Sequence, residues 1–282
     1  MEVKPIILLN NSCNFRCCHC YVRNATDETP IDTIIKFFDN IILANNADFV
    51  RFAGGEPFLY SHFHELALFL CKMRDKGIDL NFTTNGSCIT DSIMNDLQII
   101  QPNMVKVSLL SLRENKYNEI IGSNHKLSDT IMAIEQLMKS FTVGINMTIM
   151  KDTICDVEPL IQFCLSNGIK DLFFSQLTPA GRGFVIENKK LSKEEIDYVH
   201  TIIDSVDKNK INITYDDGCH CGFYEDFVLN WDGDIFPCSA LVSYPEYKIG
   251  DCDSTVDEMR KKINELCKTK SKVCFVEDFV KY

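Results

Sequence analysis

From residue 4 to about residue 180 the chain repeats one alternation, a short apolar run followed by a stretch with helical periodicity. The apolar runs are VKPIILLN, DFVRFA, IDLNFTTNG, MVKVSLL, TVGINMTIM and DLFFSQL, and helical patterns fall near 32–45, 61–76, 91–99, 128–139 and 157–167. Strands separated by helices cannot pair as hairpins and instead build a parallel sheet from βαβ units. The runs are nearly continuous in apolar residues, as expected of strands covered on both faces. Six such units predict an α/β fold with a partial (β/α)6 TIM-like barrel. An open doubly wound sheet obeys the same rhythm.

After a helical pattern near 192–208 and a strand INITY, the character changes. DDGCHCGF, then YEDFVLNWDGDIFPC with an Asp232-Gly233 hairpin turn, then a helix near 254–267, make a short module. A boundary near Tyr215 therefore divides a barrel domain, 1–215, from a small cysteine-rich α+β extension, 216–282.

The 282 residues suffice for a sizeable core, and 45% hydrophobic with 24% charged residues is a globular balance. A net charge of −11 disfavours nucleic acid and anionic membrane as partners. No run approaches the length of a membrane span, and MEVKPIILLN has too short an apolar stretch for a signal peptide, so the expected location is cytoplasmic. A reducing compartment turns the 14 cysteines from disulfide partners into ligands or packing residues. Cys71, Cys88, Cys155 and Cys164 stand alone in helical patterns and read as small hydrophobes. The other ten cluster in 13–20 and 219–274.

In parallel α/β folds the functional groups lie beyond the carboxyl ends of the strands. Strand one ends in NSCNFRCCHCY, strand two in AGGEP, strand three in TTNG and strand six in QLTPAGRG; Ser108, Ser111, Asn146 and Thr148 belong to strands four and five. Cys13, Cys17 and Cys20 stand at a CxxxCxxC spacing, which brings three soft sulfur donors to one loop. Structural zinc wants four protein ligands, so a zinc knuckle needs Cys18 or His19 as the fourth. A [4Fe–4S] cluster with one iron left open needs only the three. Glu56 also reads as a helix N-terminal charge, Asn85-Gly86 as a turn, and Ser108 as a core hydroxyl.

CNFRCCHCY, GGEP, TTNG, the strand-four serine and LTPAGR together resemble the radical S-adenosylmethionine (radical SAM) enzymes over residues 4–183. The resemblance implies that Cys13, Cys17 and Cys20 hold a [4Fe–4S] cluster whose open iron is chelated by the amino and carboxylate groups of S-adenosyl-L-methionine. Reductive cleavage then yields methionine and a 5′-deoxyadenosyl radical that abstracts a hydrogen atom from substrate. By the same resemblance Gly54 and Gly55 receive the methionine amino group beside Glu56. Ser108, Asn85 and Asn146 line the methionine or ribose, and Tyr21 lies near the adenine. Where relatives read SLDG and carry an arginine before a glycine, this chain has SLLS and Ile121-Gly122, which leaves the methionine carboxylate without an assigned partner.

The extension resembles the SPASM module in its shorter, twitch form. That implies an auxiliary [4Fe–4S] cluster, with Cys219, Cys221, Cys238 and Cys274 as ligands ahead of Cys252 and Cys267; zinc is the competing occupant. Enzymes of this kind modify ribosomally made peptides or proteins, by cross-linking, epimerisation or side-chain oxidation. The chain begins at strand one, so a separate leader-peptide-binding protein joins the expected partners, with a reductant such as flavodoxin or ferredoxin. A small-molecule dehydrogenase is the alternative. A zinc-binding module on a barrel scaffold, without catalysis, is the second.

Overall fold

A computed structural model describes residues 3–216 and 226–269 of the chain. In order the elements are β1 (Lys4–Leu8), α1 (Ile31–Phe37), β2 (Phe49–Ala53), α2 (Phe63–Asp75), β3 (Asp79–Thr84), α3 (Asp91–Ile100) and β4 (Met104–Ser108). There follow α4 (Glu114–Ile121), α5 (Leu127–Met138), β5 (Val143–Ile149), α6 (Val157–Ser166), β6 (Asp171–Gln176), α7 (Lys193–Asp204) and β7 (Asn212–Asp216). The last are β8 (Asp226–Leu229), β9 (Asp234–Phe236), β10 (Gly250–Asp251) and α8 (Val256–Thr269).

The sheet order is β10-β9-β8-β1-β2-β3-β4-β5-β6-β7, and β1 to β7 are all parallel. A doubly wound sheet reverses its strand order at a switch point; this sheet runs through seven strands without reversing. Side-chain alternation settles the curvature. Val50 and Phe52 on β2, Val105 and Val107 on β4, and Leu172 and Phe174 on β6 are buried in the core, where Phe38, just after α1, packs on Phe52. The residues between them face the other way, and Ile6, Arg51, Thr83, Lys106, Asn146, Phe173 and Thr214, one from each of seven strands, line a single internal cavity. Seven strands reach one cavity only when the sheet curls into a partial barrel.

The C-terminal segment continues this sheet. β8 pairs parallel with β1, Ile6 opposite Val228, and β9 and β10 follow antiparallel. The β8–β9 hairpin turns where expected: Gly233 has φ 81, and the Asn230 side-chain oxygen accepts from the N–H groups of Asp232 and Asp234.

Two helical features depart from the sequence expectation. The pattern at 32–45 is one continuous helical path, but only its first part is α. A π-helical turn, Phe38–Ile42, and a 3-10 turn, Leu43–Asn45, complete it before Asn46 ends it at φ 53. Helix α4 was not expected, because ENKYNEII is polar overall; its apolar face consists of Tyr117, Ile120 and Ile121 alone. No helix among the described residues is long and apolar enough to cross a membrane.

Candidate active site at the barrel mouth

After β1 the chain crosses the mouth of the barrel as the loop that carries the four clustered cysteines. Three neighbouring segments grip its backbone, each through a glycine. At the end of β2, Gly55 N donates to Asn10 O at 2.9 Å and Glu56 N to Ser12 O at 2.8 Å. A Cβ on Gly55 would lie 2.0 Å from Ser12 O, and one on Gly54, at φ 150, 2.6 Å from Asn10 O. Only glycine permits that approach.

At the end of α4, Ile121 O accepts from Arg16 N at 2.8 Å and Ile120 O from Cys18 N at 2.9 Å. These are helix-terminal carbonyls that would otherwise lack partners, and Gly122 closes the helix at φ 54 against Arg16. After β6, Arg182 N donates to Cys20 O at 2.9 Å, and Arg182 Nε donates to Cys17 O at 2.8 Å. Gly181, at φ 55, lies so near Tyr21 O that a Cβ would stand 2.6 Å from it.

Held in this way, Cys13, Cys17 and Cys20 line one cavity of about 230 Å³ together with Tyr21, Gly54, Gly55, Asn85, Ser108 and Asn146. Cys18 does not line it. Ser108 and Asn146 are register partners across β4 and β5. Asn85 Nδ2 donates to Asn14 Oδ1 at 3.0 Å and approaches Cys13 Sγ at 3.7 Å, so its amide supports the ligand loop. Its own Oδ1 accepts from Ser87 N in the turn at Gly86, φ 78.

Glu56 stands apart from the cavity wall. It is fully buried, and its Oε1 accepts from Phe58 N at 3.2 Å and from Thr84 Oγ1 at 2.7 Å, while Oε2 accepts from Asn85 N at 2.7 Å. It thus caps the 3-10 turn Pro57–Leu59 and ties the end of β2 to the end of β3. Burial pushes its carboxyl up to about 7, against the pull of those three donors.

The electrostatics suit soft-metal ligation. Burial raises the Cys13 thiol to about 11 and also raises Cys17 and Cys20; Cys20 further raises Cys13 and Cys17, and Cys13 raises Cys17. Arg182 is the cation that opposes this at Cys17 and Cys20. Neutral thiols in such a place become ligands when a metal deprotonates them. All three are free of disulfides. No three His, Cys, Asp or Glu side chains among the described residues gather round one point so as to hold a single ion. Three half-buried thiols on one cavity wall are the donor set that a [4Fe–4S] cluster with one open iron would take.

Two further residues line the cavity: His19, expected only as a fourth ligand of a zinc knuckle, and Arg182, for which the sequence carries no expectation. His19 lines the cavity with a buried Nδ1 that lacks a hydrogen-bond partner, and burial lowers it to about 4. Arg182 sits in the LTPAGR run, yet nothing in that run singles out the arginine. Arg113 is engaged elsewhere: its Nε and a terminal nitrogen bind both oxygens of Asp156, each at 2.9 Å.

Of the extension's cysteines, Cys219, Cys221 and Cys274 lie outside the described residues. Cys238 lies beside Tyr21, whose ring reaches from the mouth to Ser239 of the extension and whose hydroxyl burial raises to about 12. Cys252 is buried, its thiol 3.6 Å from Thr33 O, and Cys267 packs on α8 against the core. Among the cysteines expected as packing residues, Cys164 is buried, Cys71 and Cys88 are half-buried, and Cys155 is exposed.

Comparison with known proteins places this geometry. The family description "Radical SAM superfamily" matches residues 7–164. The chain is 28% identical over 208 residues to the Fe-coproporphyrin III synthase of Methanosarcina barkeri, which covers 69% of this chain and 49% of that protein. It is 22% identical over 267 residues to the subtilosin biosynthesis protein AlbA of Bacillus subtilis, covering 89% of this chain and 57% of AlbA. It thus spans about half the length of these relatives. Its fold is like that of Streptococcus suis SuiB, solved with S-adenosylmethionine, with a TM-score of 0.77 at 18% identity over 100% of this chain and 75% of SuiB. SuiB has also been solved with its precursor peptide SuiA.

Proposed function

The chain belongs to the radical SAM superfamily, and from that premise we propose that it is an enzyme that modifies a ribosomally made peptide or protein. The observation that carries the reading is the convergence of Cys13, Cys17 and Cys20 on the same cavity as Gly54, Gly55, Ser108 and Asn146. In the bound state a [4Fe–4S] cluster would supply the electron that cleaves S-adenosylmethionine, leaving methionine and a 5′-deoxyadenosyl radical that takes a hydrogen atom from substrate.

The protein's share is positional. The three thiols would hold the cluster, and the half-buried backbone at Gly54 and Gly55 on the cavity wall would receive the methionine amino group. Ser108 and Asn146 offer hydrogen bonds to the methionine or ribose, and Asn85 braces Cys13. Tyr21 gives the adenine an aromatic wall and links the mouth to the extension. The methionine carboxylate falls to Arg182 rather than Arg113, since Arg182 lines the cavity and Arg113 is spent on Asp156.

A peptide substrate is favoured by the likeness to AlbA, named for bacteriocin biosynthesis, and to SuiB. A small-molecule substrate is the second reading, favoured by the name of the Methanosarcina relative. The extension, 216–282, would form the twitch-like domain, with an auxiliary [4Fe–4S] cluster on Cys238 and on Cys219, Cys221 and Cys274. Flavodoxin or ferredoxin would be the reductant, and a separate protein would grip a leader peptide.

Anaerobic reconstitution tests this. The loaded protein should be brown, hold about eight irons if both clusters form, and release 5′-deoxyadenosine with dithionite. Substituting Cys13, Cys17 and Cys20 together by alanine should abolish that product, while Cys18→Ala should leave iron content unchanged. Product from the triple variant would refute the assignment.

A further inference from the structure

Beneath the mouth the barrel holds a second cavity of about 320 Å³, whose walls include Arg51, Lys106, Phe173, Thr214 and Asp216. It shares Tyr21, Ala53, Thr83, Asn146 and Ser175 with the cavity above, so the two are compartments of one lumen. Arg51 stands two residues before Ala53 on β2 and Lys106 two before Ser108 on β4. Two residues of strand rise about 6.6 Å, which sets the pair one side-chain layer deeper than the mouth.

This is an unusual place for two cations in a chain of net charge −11. Burial and then the charge of Arg51 push the Lys106 ammonium down to about 7, with Asp171 opposing. Arg51 Nε is buried and has no hydrogen-bond partner. Lys106 Nζ lies 3.3 Å from the centre of the Phe173 ring and forms no ion pair among the described residues. Of the nearby carboxylates, Asp171 acts on Lys106 only through space and accepts from Asn212 Nδ2 at 3.1 Å, and Asp216 has a partner of its own.

Two like charges on one half-buried cavity wall repel each other, and an anion between them relieves that repulsion. A guanidinium fork receives the two oxygens of a carboxylate side by side, and the Lys106 ammonium adds a further donor.

We propose that Arg51 and Lys106 form an anchoring subsite for a substrate carboxylate, one layer beneath the cavity that receives S-adenosylmethionine. The assignment of the upper cavity rests on the radical SAM reading; the anion site itself rests on the two cations. The carboxylate belongs either to an acidic side chain of a peptide or to a small acid.

Thermal unfolding of the anaerobically reconstituted full chain tests the site. Glutarate and N-acetylglutamate α-amide, titrated against chloride at matched ionic strength, should raise the midpoint, whereas neutral N-acetylglutamine α-amide should not. Arg51→Gln and Lys106→Met should each weaken the apparent affinity by about tenfold or more. Arg51→Lys and Lys106→Arg, which keep both charges, should retain a measurable part of it. Stronger stabilisation by N-acetylglutamate α-amide assigns the subsite to a peptide side chain, and stronger stabilisation by glutarate assigns it to a small acid. No stabilisation of the unsubstituted chain, equal stabilisation of the Arg51→Gln/Lys106→Met double variant, or a larger effect from inorganic phosphate would overturn the proposal. 5′-Deoxyadenosine release by the unsubstituted chain is read separately, so the radical assignment and the anion subsite can fail independently.

Discussion

Arg182 Nε donates to the carbonyl of Cys17 at 2.8 Å, a contact that joins the segment after β6 to the middle of the ligand loop across the barrel mouth. The same residue donates its backbone N–H to Cys20 O at 2.9 Å. One residue thus grips the loop through both side chain and backbone.

Removing that side chain should loosen the loop without destroying the barrel. Arg182→Ala is expected to destabilise the metal-free chain by about 1–3 kcal/mol, the cost of leaving a partly buried carbonyl without its charged donor. It should also slow iron uptake. Arg182→Lys keeps the charge but loses the fork and should fall between the two. Denaturant unfolding and the time course of cluster absorbance measure both effects; an unchanged uptake rate in Arg182→Ala would count against the clamp.

Gly55→Ala should be far more damaging than Gly77→Ala. The new methyl at position 55 would lie 2.0 Å from Ser12 O, so the loop must move, whereas at position 77 nothing lies within 4 Å and only the φ of +87 is strained. The second change should cost about 1–2 kcal/mol. The first should cost more and also lower the iron bound per chain. Comparable losses of iron in both variants would mean that the close approach at Gly55 does not set the loop.

Glu56→Gln should destabilise the fold although it removes a buried carboxyl. Both carboxylate oxygens accept hydrogen bonds, from Phe58 N, Thr84 Oγ1 and Asn85 N. An amide NH2 put in place of either oxygen meets a backbone N–H, so one donor pair must stay unsatisfied, at about 1–3 kcal/mol. A midpoint at or above that of the unsubstituted chain at pH 8 would show that the cost of the buried charge outweighs those donors.

Lys106 should write a pH dependence into stability. Its folded value lies at about 7, below the ordinary 10.5, so between these limits the unfolded chain binds more protons than the folded one. The stability of the metal-free chain should therefore rise with pH through this window, by about 5 kcal/mol at most. The groups that face the ammonium are Arg51 from β2, Asp171 from β6 and Asp216 from β7. Lys106→Met should flatten the rise, and identical pH profiles for both proteins would exclude the mechanism.

Local pattern carried much of this architecture. Apolar runs such as DFVRFA and MVKVSLL place strands because their buried residues recur at every second position, and CxxxCxxC places the ligand loop at the first strand end. What escaped depends on distance along the chain or on a weak periodic signal. α4 presents only Tyr117, Ile120 and Ile121 to the core. Arg182 meets Cys17 across 165 residues of chain. β8 pairs with β1 although more than two hundred residues separate Lys4 from Asp226. The clue to Arg51 and Lys106 was present, a cation at the centre of an apolar strand, but its meaning needs the curvature that turns one face of the sheet into a lumen.

Among the described residues the sheet ends at β7 and β10 without closing on itself, yet the ends of β2 and α4 and the segment after β6 all fasten to the one loop that leaves β1. That loop acts as lacing across an open collar. The lacing is made of backbone hydrogen bonds, the Arg182 side chain and glycine contacts, none of which depends on iron. A chain stripped of metal should therefore keep the outline of the mouth, and reloading becomes a matter of coordination chemistry on a standing template rather than of refolding.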